Sequence, residues 1–251
     1  MGRLDGKNVF ITGGSRGIGY ATAREALKEG ANAIAICSHY VETREAALKK
    51  LREDFPGRNI EGYTPNLSSE EEIGAAMDDF MGKYGALDAV CHIAGITHNN
   101  TIKNIPDGLF REVIEVNLIG SYNVDRQAGL RMTKQRYGSI VNTASIAGVY
   151  GSSMGCGYGA SKAGVLGLTR SLGRELAYFG IRVNAVCPGV VKTDMVMKDT
   201  SEAAIKYVNS TIGLKRMGEP EELAKMFVFL ASDDASYCTA GFYHCDGWTT
   251  A

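Results

Sequence analysis

Short runs of β-branched and apolar residues alternate along the chain with longer amphipathic stretches, the pattern of a parallel sheet covered on both faces by helices. The pattern predicts strands over residues 8–12, 32–37, 60–64, 87–93, 138–143, 182–187 and 242–246, seven in all. Helices are predicted over residues 17–28, 42–54, 70–83, 106–134, 158–177 and 220–231. Ser69, three residues before Glu72, fits a capping box, and Pro220 followed by Glu221 and Glu222 fits a first helical turn. Right-handed crossovers make such a chain an open, doubly wound α/β sheet, whose ligand lies beyond the C-terminal ends of the strands. Residues 189–218 contain no predicted strand, and a segment this long inside one domain reads as a flap over the site.

At 251 residues, with 45% hydrophobic and 22% charged residues, the chain reads as one domain over residues 1–251. A formal net charge of −1 provides no basic field for nucleic acid and no cationic face for a membrane. No apolar run reaches the ~18 residues that span a bilayer. The start Met1-Gly-Arg-Leu-Asp-Gly-Lys-Asn8 is too polar for a signal peptide, so a cytoplasmic location is expected. The six cysteines have no C-x-x-C pair, which suits small buried thiols in a reducing compartment. His39, His92, His98 and His244 do not flank cysteines at zinc-finger spacing, and no metal site is expected.

The first strand runs straight into Gly13-Gly14-Ser15-Arg16-Gly17-Ile18-Gly19 and then a helix. Glycines there let the backbone approach a pyrophosphate, and the helix N-terminus offers free N–H groups and the positive end of its dipole. Thr12 through Gly19 resembles the nucleotide-binding signature of the short-chain dehydrogenases/reductases, and the resemblance continues along nearly the whole chain. It implies a single-domain Rossmann sheet of seven strands and a nicotinamide cofactor. An acid at the end of the second strand would bond the adenosine ribose and reject a 2′-phosphate. Here that place reads Ile36-Cys37-Ser38-His39, and Arg16 lies in the glycine loop, so NADP(H) is favoured and NAD(H) is the alternative. The resemblance further implies cofactor contacts from Gly13, Ser15, Gly17, Ile18 and Gly19, and from Asn66 and Leu67 after the third strand. It also implies contacts from Ala94 and Gly95 after the fourth strand, and from Pro188, Gly189, Val190 and Thr193 after the sixth. Two positions depart from the family pattern: His92-Ile93-Ala94-Gly95 replaces Asn-Asn-Ala-Gly, and Asn66 replaces an Asp.

Tyr158 and Lys162 are four residues apart, on one face of a predicted helix. A cation about 5 Å from a phenol favours phenolate, by roughly two pKa units at an effective dielectric near 20. Ser145 follows the fifth strand, where its hydroxyl can hold a substrate oxygen. Asn117 sits mid-helix, a poor place for Asn. By resemblance Asn117, Ser145, Tyr158 and Lys162 match the family tetrad, in which the Asn holds a water, the Tyr exchanges a proton with the substrate oxygen, and the Lys also bonds the nicotinamide ribose.

Met154, Cys156 and Met195, with Ser145 and Tyr158, are the expected substrate contacts, giving a deformable apolar wall for an apolar alcohol or ketone. Within the family, the stretches 95–100, 144–151, 189–195 and 215–222 resemble bacterial hydroxysteroid (bile-acid) dehydrogenases. Bacterial 3-oxoacyl-carrier-protein reductases share much of the same pattern and are the alternative. A catalytically silent nucleotide-binding module is the second alternative. The resemblance implies a homotetramer built on the 106–134 and 158–177 helices and on the last helix and strand.

Overall fold

The seven strands of this computed structural model, in which residues 2–198 and 201–249 are described, form one sheet in the order β3-β2-β1-β4-β5-β6-β7. They are β1 Asn8–Thr12, β2 Ala33–Cys37, β3 Asn59–Tyr63, β4 Ala89–His92, β5 Gly138–Thr143, β6 Ile181–Pro188 and β7 Phe242–Cys245. Each neighbouring pair is parallel. Residues 199 and 200, within the expected flap, and residues 1, 250 and 251, at the ends of the expected domain, lie outside the described residues. The fold is the doubly wound α/β sheet that the alternation of patterns predicts.

Strand side chains alternate between two helical layers. Val9, Ile11, Ile34, Ile36 and Val141 pack on Ala23 and Leu27 of α1 (Gly17–Lys28) and on Phe227 and Val228 of α10 (Pro220–Ala231). Phe10, Val90, Ile140 and Val183 face the opposite layer. There they meet Met77 and Phe80 of α3 (Glu70–Tyr84) and Val124 and Met132 of α5 (Gly120–Gln135). The remaining elements are α2 (Val41–Asp54), α4 (Leu109–Ile114), α6 (Ile146–Tyr150), α7 (Cys156–Leu176), α8 (Asp194–Met197) and α9 (Glu202–Thr211). The order of the strands reverses between β1 and β4, and their carboxyl ends open a crevice there.

The helix predicted over 106–134 is interrupted. Between α4 and α5 the residues Glu115–Ile119 form a π-helical turn, with Asn117 buried at its centre. The flap segment contains α8 and α9 and is tied down by two bridges, Val191 with Gly218 and Ile212 with Thr249.

Only half of the expected capping box forms at α3. Ser69 accepts from the Glu72 N–H at 3.2 Å, but the Glu72 carboxylate turns to the Asn66 N–H at 2.9 Å. The complete box lies at α10, where the Glu219 N–H donates to Glu222 Oε2 at 2.8 Å and the Glu219 side chain caps in return. Arg216 grips both oxygens of Glu222, at 2.6 and 2.7 Å. These two partners, Arg216 first, hold the Glu222 carboxyl down to about 2 from the ordinary 4.5. Its contribution is therefore full above about 4.5 and is lost as the pH falls towards about 2. Glu222→Gln should cost about 1 kcal/mol or less in neutral urea denaturation, since the pair is solvent-exposed. The difference from the unsubstituted chain should shrink as the pH is lowered through that window; a constant difference would contradict the linkage.

Candidate active site

The glycine loop closes on the crevice because its positions leave no room for side chains. Gly13 has φ +68°, and a Cβ there would sit 2.8 Å from the Ala94 nitrogen. A Cβ on Gly14 would meet Ile36 Cβ at 2.7 Å, and one on Gly19 would overlap the Gly13 carbonyl. Arg16 stands at the N-cap of α1 with no side-chain cap, so the first N–H groups of that helix face the crevice unpaired by it. A continuous cleft of about 540 Å³ runs from this loop past the ends of β2, β4 and β5 to the flap. Its length and cradle fit an extended dinucleotide.

Of the residues expected to bind cofactor, Gly13, Ser15, Arg16, Gly17, Ile18 and Gly19 line the cleft. So do Ser38, His39, Asn66, Leu67, Ala94 and Gly95, and, at the far end, Tyr158, Lys162, Pro188, Gly189 and Thr193. Val190 does not. Its carbonyl accepts from the Gly218 N–H at 3.0 Å, and the next residue, Val191, takes the place on the cleft wall. The oxygen of the Asn66 carboxamide is committed to the Ser68 N–H at 3.0 Å, which leaves the NH₂ to offer.

At the β2 end, Ser15 Oγ donates to Ser38 Oγ at 3.0 Å, and Ser38 Oγ lies 3.1 Å from Thr43 Oγ1. Thr43, at the start of α2, was not singled out in the sequence, although its place in the first turn after Ser38 is a usable signal. No carboxylate lines this end; the acids on the cleft are Glu112 and Asp194.

At the other end the tetrad converges. Lys162 Nζ donates to the Thr143 carbonyl at 2.7 Å and lies 5.7 Å from the centre of the Tyr158 ring. Ser145 caps α6 through the Ala147 N–H at 3.1 Å, and its hydroxyl lies close enough to the Tyr158 phenol to draw it towards ionisation. Asn117 lies behind the cleft, not on it. Its Oδ1 accepts from the Ile96 N–H at 2.8 Å, while Nδ2 donates to the Ile96 carbonyl at 2.9 Å and to Ser161 Oγ at 3.1 Å. It thus pins the loop beyond β4 to α7, and the π-helical turn supplies the reach.

Burial governs the ionisation here. It pulls Lys162 down to about 8 and pushes the Tyr158 phenol up, against the Ser145 hydrogen bond, which draws it down. In the free protein burial outweighs the neighbouring cation, so the Tyr158 phenol stays above its ordinary value although Lys162 Nζ lies 5.7 Å from the ring centre. Lys162 remains mainly protonated at neutral pH, and a phenol beside it can hold and return a proton.

Met195 and Val196 line the cleft near Tyr158, as do Ile96 and Val116. Met154 and Cys156 do not reach it. They line a separate hollow of about 20 Å³ that shares only Tyr158 with the cleft. Glu112, on the cleft, carries no sequence signal, because only the packing of α4 on α7 turns it there.

A family model described as short chain dehydrogenase matches residues 7–204. The chain is 40% identical over 244 residues to a 3alpha-hydroxysteroid dehydrogenase of Mediterraneibacter gnavus, covering 97% of each. It is also 40% identical over 245 residues to the 3-oxoacyl-[acyl-carrier-protein] reductase FabG of Thermotoga maritima, covering 98% of each. Among solved structures, levodione reductase superposes with a TM-score of 0.91 at 32% identity over 97% of both chains. The parallel sheet, the glycine cradle at its reversal point and these likenesses agree, and the chain belongs to the short-chain dehydrogenase family, oxidoreductases that bind NAD(P).

Proposed function

We propose that the protein interconverts a secondary alcohol and a ketone with NADP(H), and that its substrate is a hydroxysteroid such as a bile acid. The observation that carries the reaction class is the meeting of Ser145, Tyr158 and Lys162 at the apolar end of the cleft. The bound nicotinamide supplies or takes up the hydride. Tyr158 passes a proton to, or takes it from, the substrate oxygen, and the Ser145 hydroxyl holds that same oxygen. Lys162 steadies the phenolate form. Asn117 is a positioning residue, since both ends of its carboxamide are already engaged with Ile96 and Ser161.

NADP(H) is preferred because the β2 end offers Ser38, Thr43 and Arg16 and no acid, a setting for a 2′-phosphate. Among the described residues Arg16 has no carboxylate partner. Val191 and Thr193 are our candidates for the carboxamide side of the ring, and residues 189–218 for the segment that covers the substrate.

The steroid reading is favoured over a carrier-bound thioester by charge. Lys192, the cation nearest the start of the flap, is ion-paired with Glu219, and Arg216 with Glu222. Glu112 and Asp194 place negative charge on the cleft wall, against an acidic carrier protein, while Lys198, Lys206 and Lys215, without a carboxylate partner among the described residues, are the flap cations such a carrier would have to use. A homotetramer is supported by exposed apolar side chains along the helices implied for its interface, Phe110, Ile119, Tyr122 and Leu130. A cytoplasmic setting accords with six free cysteines, and no helix among the described residues is long and apolar enough to cross a membrane.

Tyr158→Phe should lower bile-acid oxidation, followed by nicotinamide absorbance, by at least about 10²-fold with NADPH affinity unchanged. Retained turnover would remove the proton-transfer role. Arg16→Ala should weaken NADPH about tenfold or more and NADH little in fluorescence titrations; equal losses would remove the reason for the preference. Lys162→Met should move the alkaline rise of residual oxidation upward by about one to two pH units, since the cation no longer favours phenolate. An unmoved profile would show that Lys162 does not act on Tyr158.

A further inference from the structure

Helix α5 carries an acid that the proposed reaction does not use. Asp125 is fully buried, and its Oδ2 accepts from Asn142 Nδ2 of β5 at 2.7 Å, while the same nitrogen donates to Thr169 Oγ1 of α7 at 3.2 Å. The other two oxygens of this pair of side chains, Asp125 Oδ1 and Asn142 Oδ1, are shielded from solvent and have no hydrogen-bond partner. His92, in register with Asn142 on β4, does not supply the missing donor, since its Nε2 is unpaired as well. No cation among the described residues stands opposite either. Of the titratable groups on the elements packed against α5, Lys162 Nζ is turned to the Thr143 carbonyl, Tyr158 faces the cleft, and burial keeps His92 and the Cys187 thiol uncharged. Cys91 and Arg182 lie on the other face of the sheet, Arg126 and Arg131 pair with Glu70 and Asp78, and the remaining charges of α3, α5, α7 and the π-helical turn are not buried. A carboxylate so enclosed, with one oxygen bare and no opposite charge, takes up a proton instead of staying ionised.

We propose that Asp125 is a positioning residue held as a neutral carboxylic acid, whose Oδ1–H donates to Asn142 Oδ1 and closes a two-bond acid–amide pair that fixes the end of β5. One proton then satisfies both bare oxygens, as donor from one and acceptor at the other. Burial acts in the same direction, raising the Asp125 carboxyl from the ordinary 3.8 to about 7 against the Asn142 bond. The pair sits directly below the reacting groups. Thr143, next in the strand, accepts from Lys162 Nζ at its carbonyl and donates from its hydroxyl to the His92 carbonyl, at 2.7 and 2.8 Å, and Ser145 follows. Ionisation of Asp125 would set a negative charge against the Asn142 oxygen in a medium that screens it poorly, so a rise in pH loosens this end of β5. Because the folded value lies above the unfolded one, the stabilisation is complete below about 3.8 and is lost as the pH rises through about 7. None of this depends on which substrate is turned over.

Asp125→Asn can form both bonds of the pair and cannot titrate, so it serves as the reference. In the infrared difference between the unsubstituted protein and this variant, the carbonyl band of a neutral carboxylic acid should be present at about pH 5.5 and fade as the pH passes about 7. If the amide variant does not fold, Asp125→Ser, which also lacks the carboxyl, replaces it in the subtraction. Absence of the band would overturn the proposal. Hydrogen exchange reads the positioning role. Between about pH 6 and 8.5, after correction for the intrinsic rate, protection of the Ala144 N–H, which bonds the Val186 carbonyl at 2.8 Å, should fall about tenfold in the unsubstituted protein. It should stay level in Asp125→Asn, and the amides of β1 and α1 should keep their protection in both proteins. Protection at Ala144 that does not change, or that falls equally throughout the sheet, would show that the acid does not hold the end of β5 in place and would also overturn the proposal.

Discussion

A single hydroxyl at the reversal point of the sheet ties the two halves of the crevice together. Thr12 Oγ1 accepts from the N–H groups of Ile93 and Ala94, at 3.1 and 3.2 Å, and lies 2.7 Å from His92 Nδ1. With two donors already aimed at its oxygen, the hydroxyl spends its only proton on Nδ1, so the ring hydrogen of His92 is on Nε2. That imidazole must be neutral, and burial, with Lys162 adding to it, pushes it down to about 3. The arrangement explains how His92-Ile93 can stand here: what the crevice needs from this place is the path of Ala94 and Gly95, and Thr12 sets it. A Cβ on Gly13 would strike that same backbone, so strand, loop and crevice wall are mutually fixed.

From that fixed wall the restraint passes to the reacting end. Ile96 is held on both sides by Asn117, Asn117 by Ser161, and Ser161 donates to the Tyr158 carbonyl at 2.7 Å. The chain of contacts is polar and lies between buried helices, where a broken bond leaves an unpaired group and costs more than the bond itself is worth. Rigidity is thus concentrated at the groups that must meet the substrate oxygen. The same burial sets the ionisation, because it disfavours charge on both Lys162 and Tyr158.

The strands were legible because a sheet buried on both faces leaves continuous apolar runs, and β1 and β5 begin and end where the pattern places them. The glycine loop stands out because close backbone approach demands glycine, and Ser145, Tyr158 and Lys162, singled out together with Asn117 by the resemblance to the family, are brought together at one end of the cleft while Asn117 lies behind it. What escaped reading depends on contacts distant in sequence. The π-helical turn follows from the grip of Asn117 on Ile96, 21 residues away, which local propensity cannot encode. The five-residue α6 exists because Ser145 caps it, too short for periodicity to register. Val190 and Val191 are adjacent valines, and only the Gly218 bridge decides which one faces the cleft. Met154 and Cys156 are expected on the main wall because the 147–156 segment faces the flap, but both line the smaller hollow, and only the packing of the turn before α7 decides that.

Equal identity, 40%, to a hydroxysteroid dehydrogenase and to an oxoacyl reductase has a physical basis. The sheet, the cradle and the proton-transfer group serve both reactions, so similarity over the whole chain weighs mostly what the two have in common. Discrimination must come from the few groups at the mouth. In the flap Lys192 and Arg216 are ion-paired with Glu219 and Glu222, whereas Lys198, Lys206 and Lys215 have no carboxylate partner among the described residues, and Glu112 and Asp194 line the cleft. Exposed charges act over roughly 8 Å at physiological salt, so these acids are felt by whatever docks on the rim but hardly by a small ligand once it is inside. Whatever docks on that rim meets charges of both signs, so the choice of substrate falls to local contacts at the mouth and not to the shared scaffold.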